Sequence, residues 1–148
     1  MEKQLLLNAC QSFIQGRLDV LKNLLSDIEH SLTSETKSSA GDKHETGRAM
    51  LQLEREKAGN QLAQLQKEAL VLQKIDLSQS SGNVRLGSFV RTSKLNYFIA
   101  ISAGEITING EQAYAISPNT PIGKLLLSKS VNDLVEFRNQ KFKIIEVL

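Results

Sequence analysis

Two carboxylates three residues apart, Asp42 and Glu45, are the strongest chemical signal in this 148-residue chain. They open an amphipathic stretch, where an i, i+3 pair brings both side chains to one side of a single helical turn. Spacing alone leaves two readings open. Asp-x-x-Glu at a helix start is a capping box, Asp42 accepting from the Glu45 amide while Glu45 reaches back, and both acids suit the positive end of the helix dipole. By spacing the cap is the readier reading. Alternatively, two projecting oxygen donors complete the shell of a magnesium ion that a partner holds weakly, since magnesium needs more oxygen ligands than two side chains supply. Other chemistry is sparse. His30 and His44 are the only histidines and Cys10 the only cysteine, so neither a zinc set nor an internal disulfide can form. His30 reads as a solvated helix residue and Cys10 as a small packed apolar group. No Gly-rich phosphate loop or nucleophile elbow occurs, and nothing marks Ser128 and Lys129 as a catalytic pair. The chain is not expected to be an enzyme by itself.

The elements that position the two acids follow from hydrophobic periodicity. In residues 3–35, Leu7, Cys10, Ile14, Leu18, Leu21, Leu25, Ile28 and Leu32 recur at steps that are mostly threes and fours. In residues 42–75, Leu51, Ala58, Leu62, Leu65, Ala69 and Leu72 do the same. Pairing Ile28 with Leu51, Leu21 with Ala58, Leu18 with Leu62, Ile14 with Leu65, Cys10 with Ala69 and Leu7 with Leu72 centres every pair close to Ser39–Ala40. That pattern predicts an antiparallel helical hairpin with arms on the order of 50 Å long and a tip near residues 36–47. Two weak layers are expected. Gly47, opposite Leu32, costs a helix about 1 kcal/mol relative to alanine. Glu54 and Arg55 stand opposite Leu25, where only the Arg55 stem can pack.

Residues 78–83, Ser-Gln-Ser-Ser-Gly-Asn, read as a linker, which gives domains at 1–77 and 84–148. Beyond the linker the period becomes two. Strands are expected at Val84–Arg91, Leu95–Ser102, Glu105–Ile108, Gln112–Ile116, Asp133–Arg138 and Lys141–Val147. Asn109-Gly110 and Asn139-Gln140 mark hairpin turns. Pro121–Leu127 reads as a short helix with Thr120 as N-cap. The fold class is therefore α+β, a coiled-coil hairpin followed by a small, mostly antiparallel sheet with one helix. A net charge of +2 excludes nucleic-acid binding driven by bulk charge. No apolar run reaches membrane-span length and no signal-peptide pattern begins the chain, so a cytoplasmic protein is expected. Lys37, Lys43, Arg48 and Arg55 surround the outer hairpin among interleaved acids. They read as a solvated surface, or as contacts to RNA phosphates or an acidic channel wall.

Gly41-Asp42 followed two residues later by Glu45 resembles the Gly-Asp-x-x-Glu-Asn tip of the bacterial Gre transcript-cleavage factors. Ser117-Pro118-Asn119-Thr120-Pro121-Ile122-Gly123-Lys124-Leu125-Leu126-Leu127, with Lys129 and Asn132-Asp133, resembles that family's Ser-Pro-x-Ser-Pro-Leu-Gly block and its later Gly-Asp. The two motifs occur in family order and span most of the chain. The resemblance implies an FKBP-like carboxy-terminal domain that docks on RNA polymerase at its secondary channel. Ser117, Pro118, Pro121, Gly123, Lys124, Lys129 and Asp133 would then belong to the docking block. It further implies that Asp42 and Glu45 enter the polymerase active site and share a Mg²⁺ there, so that the polymerase cuts the 3′ end of a backtracked transcript. No cofactor is expected on the chain alone, and a monomer is expected. After Glu45 the chain reads Thr46-Gly47-Arg48-Ala49, where the family has asparagine, alanine, an acid and tyrosine. A regulator that occupies the channel without cleavage stays open as an alternative, as does a helical-hairpin adaptor or FKBP-like isomerase unrelated to polymerase. The domain lacks tryptophan and has few aromatics to line a proline pocket.

Overall fold

A computed structural model of the protein describes the backbone of residues 1–37 and 42–148, and the side chains of 1–34 and 45–148. The expected bend at Ser39–Ala40 lies outside the described residues. Helix α1 spans Lys3–Lys37 and helix α2 spans Asp42–Gln73. The helices run antiparallel, because later residues of α2 meet earlier residues of α1: Arg48 reaches Leu32 and Arg55 reaches Glu29.

A seven-residue repeat runs through the buried positions. Leu7, Ile14, Leu21 and Ile28 are buried on α1, and Ala58, Leu65 and Leu72 on α2, with Leu51 half-buried. Of the intervening seam positions, Cys10 and Leu32 are buried, while Leu18, Leu25, Leu62 and Ala69 are only half-buried. A two-helix seam covers one row of knobs well and leaves the next partly wet. On the outer face of α1, Gln4 donates to Asn8 and Gln15 to Asp19, pairs one turn apart that support the helix without adding to its core.

The remainder of the chain is a six-stranded sheet with one short helix, so the fold is α+β. Strands β1 (Phe89–Thr92), β2 (Asn96–Ile99), β3 (Gly104–Ile108), β4 (Glu111–Ile116), β5 (Leu134–Phe137) and β6 (Gln140–Val147) lie in the order β3-β4-β2-β1-β6-β5. Only β2 and β4 pair in parallel; every other neighbouring pair is antiparallel. Helix α3 spans Pro121–Leu126.

Both faces of the central strands are buried. Val90, Tyr97, Ile99, Phe142 and Ile144 join Val84, Leu126 and Val135 in one core cluster. On the other face Phe89, Phe98, Ala113 and Ala115 are at most 2% exposed. The period-two reading of the strand expected at Leu95–Ser102 sets Leu95, Tyr97, Ile99 and Ile101 on one face, with Phe98 and Ala100 on the other. Phe98 and Ala100 are buried as well, and Leu95 is 47% exposed because it sits in the β1–β2 turn rather than in a strand.

Two further boundaries differ from expectation. Val84–Ser88 is not strand: Val84 instead exchanges backbone hydrogen bonds with Ser128 and Lys129, and β1 begins at Phe89. The second hairpin turn falls on Arg138-Asn139, not Asn139-Gln140, because both central positions of a two-residue turn take positive φ. Arg138 and Asn139 do so, and Gln140 pairs with Phe137. The Asn109-Gly110 turn holds as expected, with φ of 52° and 83°.

Contacts divide the chain into two compact units, one of Ile14–Ala69 and one of Met1–Phe13 with Leu70–Leu148. The second unit contains the feet of both helices as well as the sheet. There Leu6 and Cys10 are fully buried, and burial pushes the Cys10 thiol up to about 11. Among the described residues, no helix is long and apolar enough to cross a membrane.

Candidate functional site

The outer hairpin is built by what each arginine of α2 finds on α1. Arg48 is half-buried, and its Nη1 donates to the Leu32 carbonyl oxygen at 3.0 Å. Gly47 beside it brings no side chain to the layer opposite Leu32, and the Arg48 stem and guanidinium cross toward α1 instead. One and two turns further from the tip, the surface changes character. Arg55 Nη1 lies 3.0 Å from Glu29 Oε1, with side chains 46% and 58% exposed. The Arg55 guanidinium thus reaches Glu29, one turn along α1 from half-buried Leu25. At that exposure the pair contributes at most about 1 kcal/mol.

Glu45 is exposed and stands one turn before Arg48 on the same helix. Asp42 is the first residue of α2, but its side chain lies outside the described residues, as do those of Lys37, Lys43 and His44. The expected reciprocal bonds of a capping box thus fall outside them too. Among the described residues, no group of three or more His, Cys, Asp or Glu could hold a metal ion.

The block from Ser117 to Asp133 is a tightly bonded corner. Ser117 O accepts from Thr120 Oγ1 at 2.7 Å and from the Thr120 amide at 3.1 Å, while Ser117 Oγ accepts from the Asn119 amide. Thr120 is the N-cap of α3, accepting from the Gly123 amide, and Pro121 occupies the first turn where its missing N–H costs nothing. A Cβ on Gly123 would stand 2.2 Å from Ser117 O and 3.0 Å from Pro118 Cα, so only glycine fits. Asp133 Oδ2 accepts from the Ser130 amide at 2.8 Å and closes the next turn. Ser117, Pro118, Gly123 and Asp133 are thus fixed by the local fold, whereas Pro121 and Lys124 are exposed and Lys129 is half-buried. Leu125 and Val131, which the sequence did not single out, are also exposed on this segment, at 39% and 45%.

Sequence reasoning missed the Arg48–Leu32 bond and the Arg55–Glu29 pair, having read both guanidinium groups as solvated or as partner contacts and given only the Arg55 stem a place against α1. The readable signal was the position of Arg48, beside a glycine on the helix seam.

No protein-family model matches the chain, and no curated protein matches it. Among solved structures it is similar to one described as the structure of the transcription factor Gfh1, at 19% sequence identity over 94% of this chain and 92% of that chain, with a TM-score of 0.36. A superposition that loose carries no argument about activity.

Proposed function

We propose that this chain is a Gre-like transcription elongation factor that enters the secondary channel of bacterial RNA polymerase and presents Asp42 and Glu45 to the active site. The observation that carries this reading is an exposed Glu45 one turn into a helix that begins at Asp42, at the outer end of a two-helix hairpin. Within the unit Ile14–Ala69, the α1 arm from Ile14 to Lys37 is on the order of 35 Å long, long and thin enough to be a probe. The Ser117–Asp133 block supports the reading independently, since its bonded corner accounts for why serine, proline and glycine recur at those spacings.

Magnesium held jointly with the polymerase would activate water and steady the leaving oxygen of the cut phosphodiester. The chain's own part is to bring oxygen donors to that centre. The factor adds no complete active site, so hydrolysis belongs to the polymerase.

The second reading is a regulator that occupies the channel without promoting cleavage. It is favoured by the turn after Glu45, where Gly47 and Arg48 replace residues of the family tip and Arg48 is directed back to α1. One experiment separates the two. Stalled, backtracked elongation complexes are incubated with the protein and with Asp42→Ala and Glu45→Ala. Shortened transcripts that disappear with either substitution are the expected result. Binding with inhibition and no shortening selects the regulator, and no binding overturns both.

A further inference from the structure

We infer that Arg48 is a positioning residue that latches the outer turns of α2 to α1 and thereby fixes where Glu45 stands. This rests on the tip reading above. At the outer end of the hairpin Ile28 and Leu32 of α1 are buried, whereas Leu51, Arg48 and Gly47 of α2 are only half-buried. Gly47 adds no side chain to the layer opposite Leu32, so apolar contact from α2 does less there to resist a roll of the helix about its axis, and a roll swings every exposed side chain on it. Arg48 removes that freedom. Its guanidinium donates to a main-chain carbonyl, an acceptor that cannot change rotamer, and the bond is half-shielded from water. Hydrogen bonds from a charged donor are roughly twice as strong as neutral ones. Glu45 is one turn away on the same helix, so the latch and the acid move as one body.

The Arg55–Glu29 pair cannot substitute for it. Both partners are exposed flexible side chains, and the pair yields to solvent and salt. The two arginines therefore have different jobs although they look alike in sequence.

The test uses the full chain with Arg48→Met, which keeps the apolar stem and helix propensity, together with Arg48→Ala and Arg55→Met. Spin labels on Ser34→Cys and Met50→Cys, both exposed positions, report the spacing of the outer helices, with buried Cys10 left unlabelled. The expected result is a broadened distance distribution in both Arg48 variants and an unchanged one in Arg55→Met. On backtracked complexes, the maximal cleavage rate of the Arg48 variants should fall roughly ten- to a hundredfold, with the half-saturating factor concentration unchanged. An unchanged distribution overturns the latch. A broadened distribution with full cleavage rate overturns the positioning role. A raised half-saturating concentration at full rate also overturns it, since Arg48 would then be touching the partner. Wild-type protein that cuts nothing removes the tip reading itself and the positioning role with it, while the label distances still decide the latch.

Discussion

Gly123 and Cys10 are residues whose chemistry is decided by what presses on them. Ser117 O stands where a Gly123 side chain would begin, so Gly123→Ala must displace backbone rather than a flexible side chain. It should cost about 3 kcal/mol, read as a lower urea midpoint, and a value within 0.5 kcal/mol of wild type would contradict the clash. Cys10 is fully buried and its thiol is raised from the ordinary 9.0 to about 11 by desolvation. A raised thiol value means that the folded state holds its proton more tightly than the unfolded one. The corresponding stability is complete below pH 9 and is lost as pH rises through about 11. Native protein should therefore resist iodoacetamide at pH 8 and react only when unfolded, and Cys10→Ala should flatten the alkaline end of the stability profile.

Among elements, the central sheet is stitched across strands by one side chain. Arg91 on β1 binds Glu111 of β4 through Nη2 at 2.7 and 3.0 Å and Glu146 of β6 through Nη1 at 2.8 Å, and its guanidinium lies 5.1 Å from the Phe89 ring centroid. The two carboxylates raise the guanidinium above its ordinary value, so it stays charged at any pH where the protein folds. Arg91 and its partners are about a third exposed, so the network contributes modestly. Arg91→Met should cost about 1 kcal/mol at low salt and less at 1 M salt, measured by thermal unfolding; an effect that grows with salt would show the role to be packing. The hairpin elements respond differently, because their core is a single seam between two helices. Ile28→Ala removes a buried knob with little around it to collapse, and should cost roughly 2 kcal/mol.

For the whole molecule, the division into two compact units sets the expected dynamics. Ile14–Ala69 is stabilised along a single seam, whereas β1 and β2 are buried on both faces. Amides of the outer hairpin should exchange with solvent before those of the central strands. Ile28→Ala should speed exchange within Ile14–Ala69 and leave β1 and β2 unchanged. Uniform acceleration over the chain would mean that the two units unfold as one.

The sequence by itself determined the elements whose signal is periodic. A seven-residue repeat of Leu, Ile and Ala needs only the geometry of a helix to become a hairpin seam, and Asn109-Gly110 needs only its tolerance of positive φ to become a turn. It also marked the Ser117–Asp133 block and the acids at the start of α2, because their residue types and spacings are local. The tertiary structure decided what local pattern cannot hold. Burial of Phe98 and Ala100 on the second face of the sheet depends on cover from elsewhere in the unit. The start of β1 depends on Val84 finding Ser128 and Lys129, more than forty residues away. Whether an arginine is a solvated charge or a fastener depends on the carbonyl or carboxylate that the fold brings within 3.0 Å of it, as Arg48 and Arg55 demonstrate.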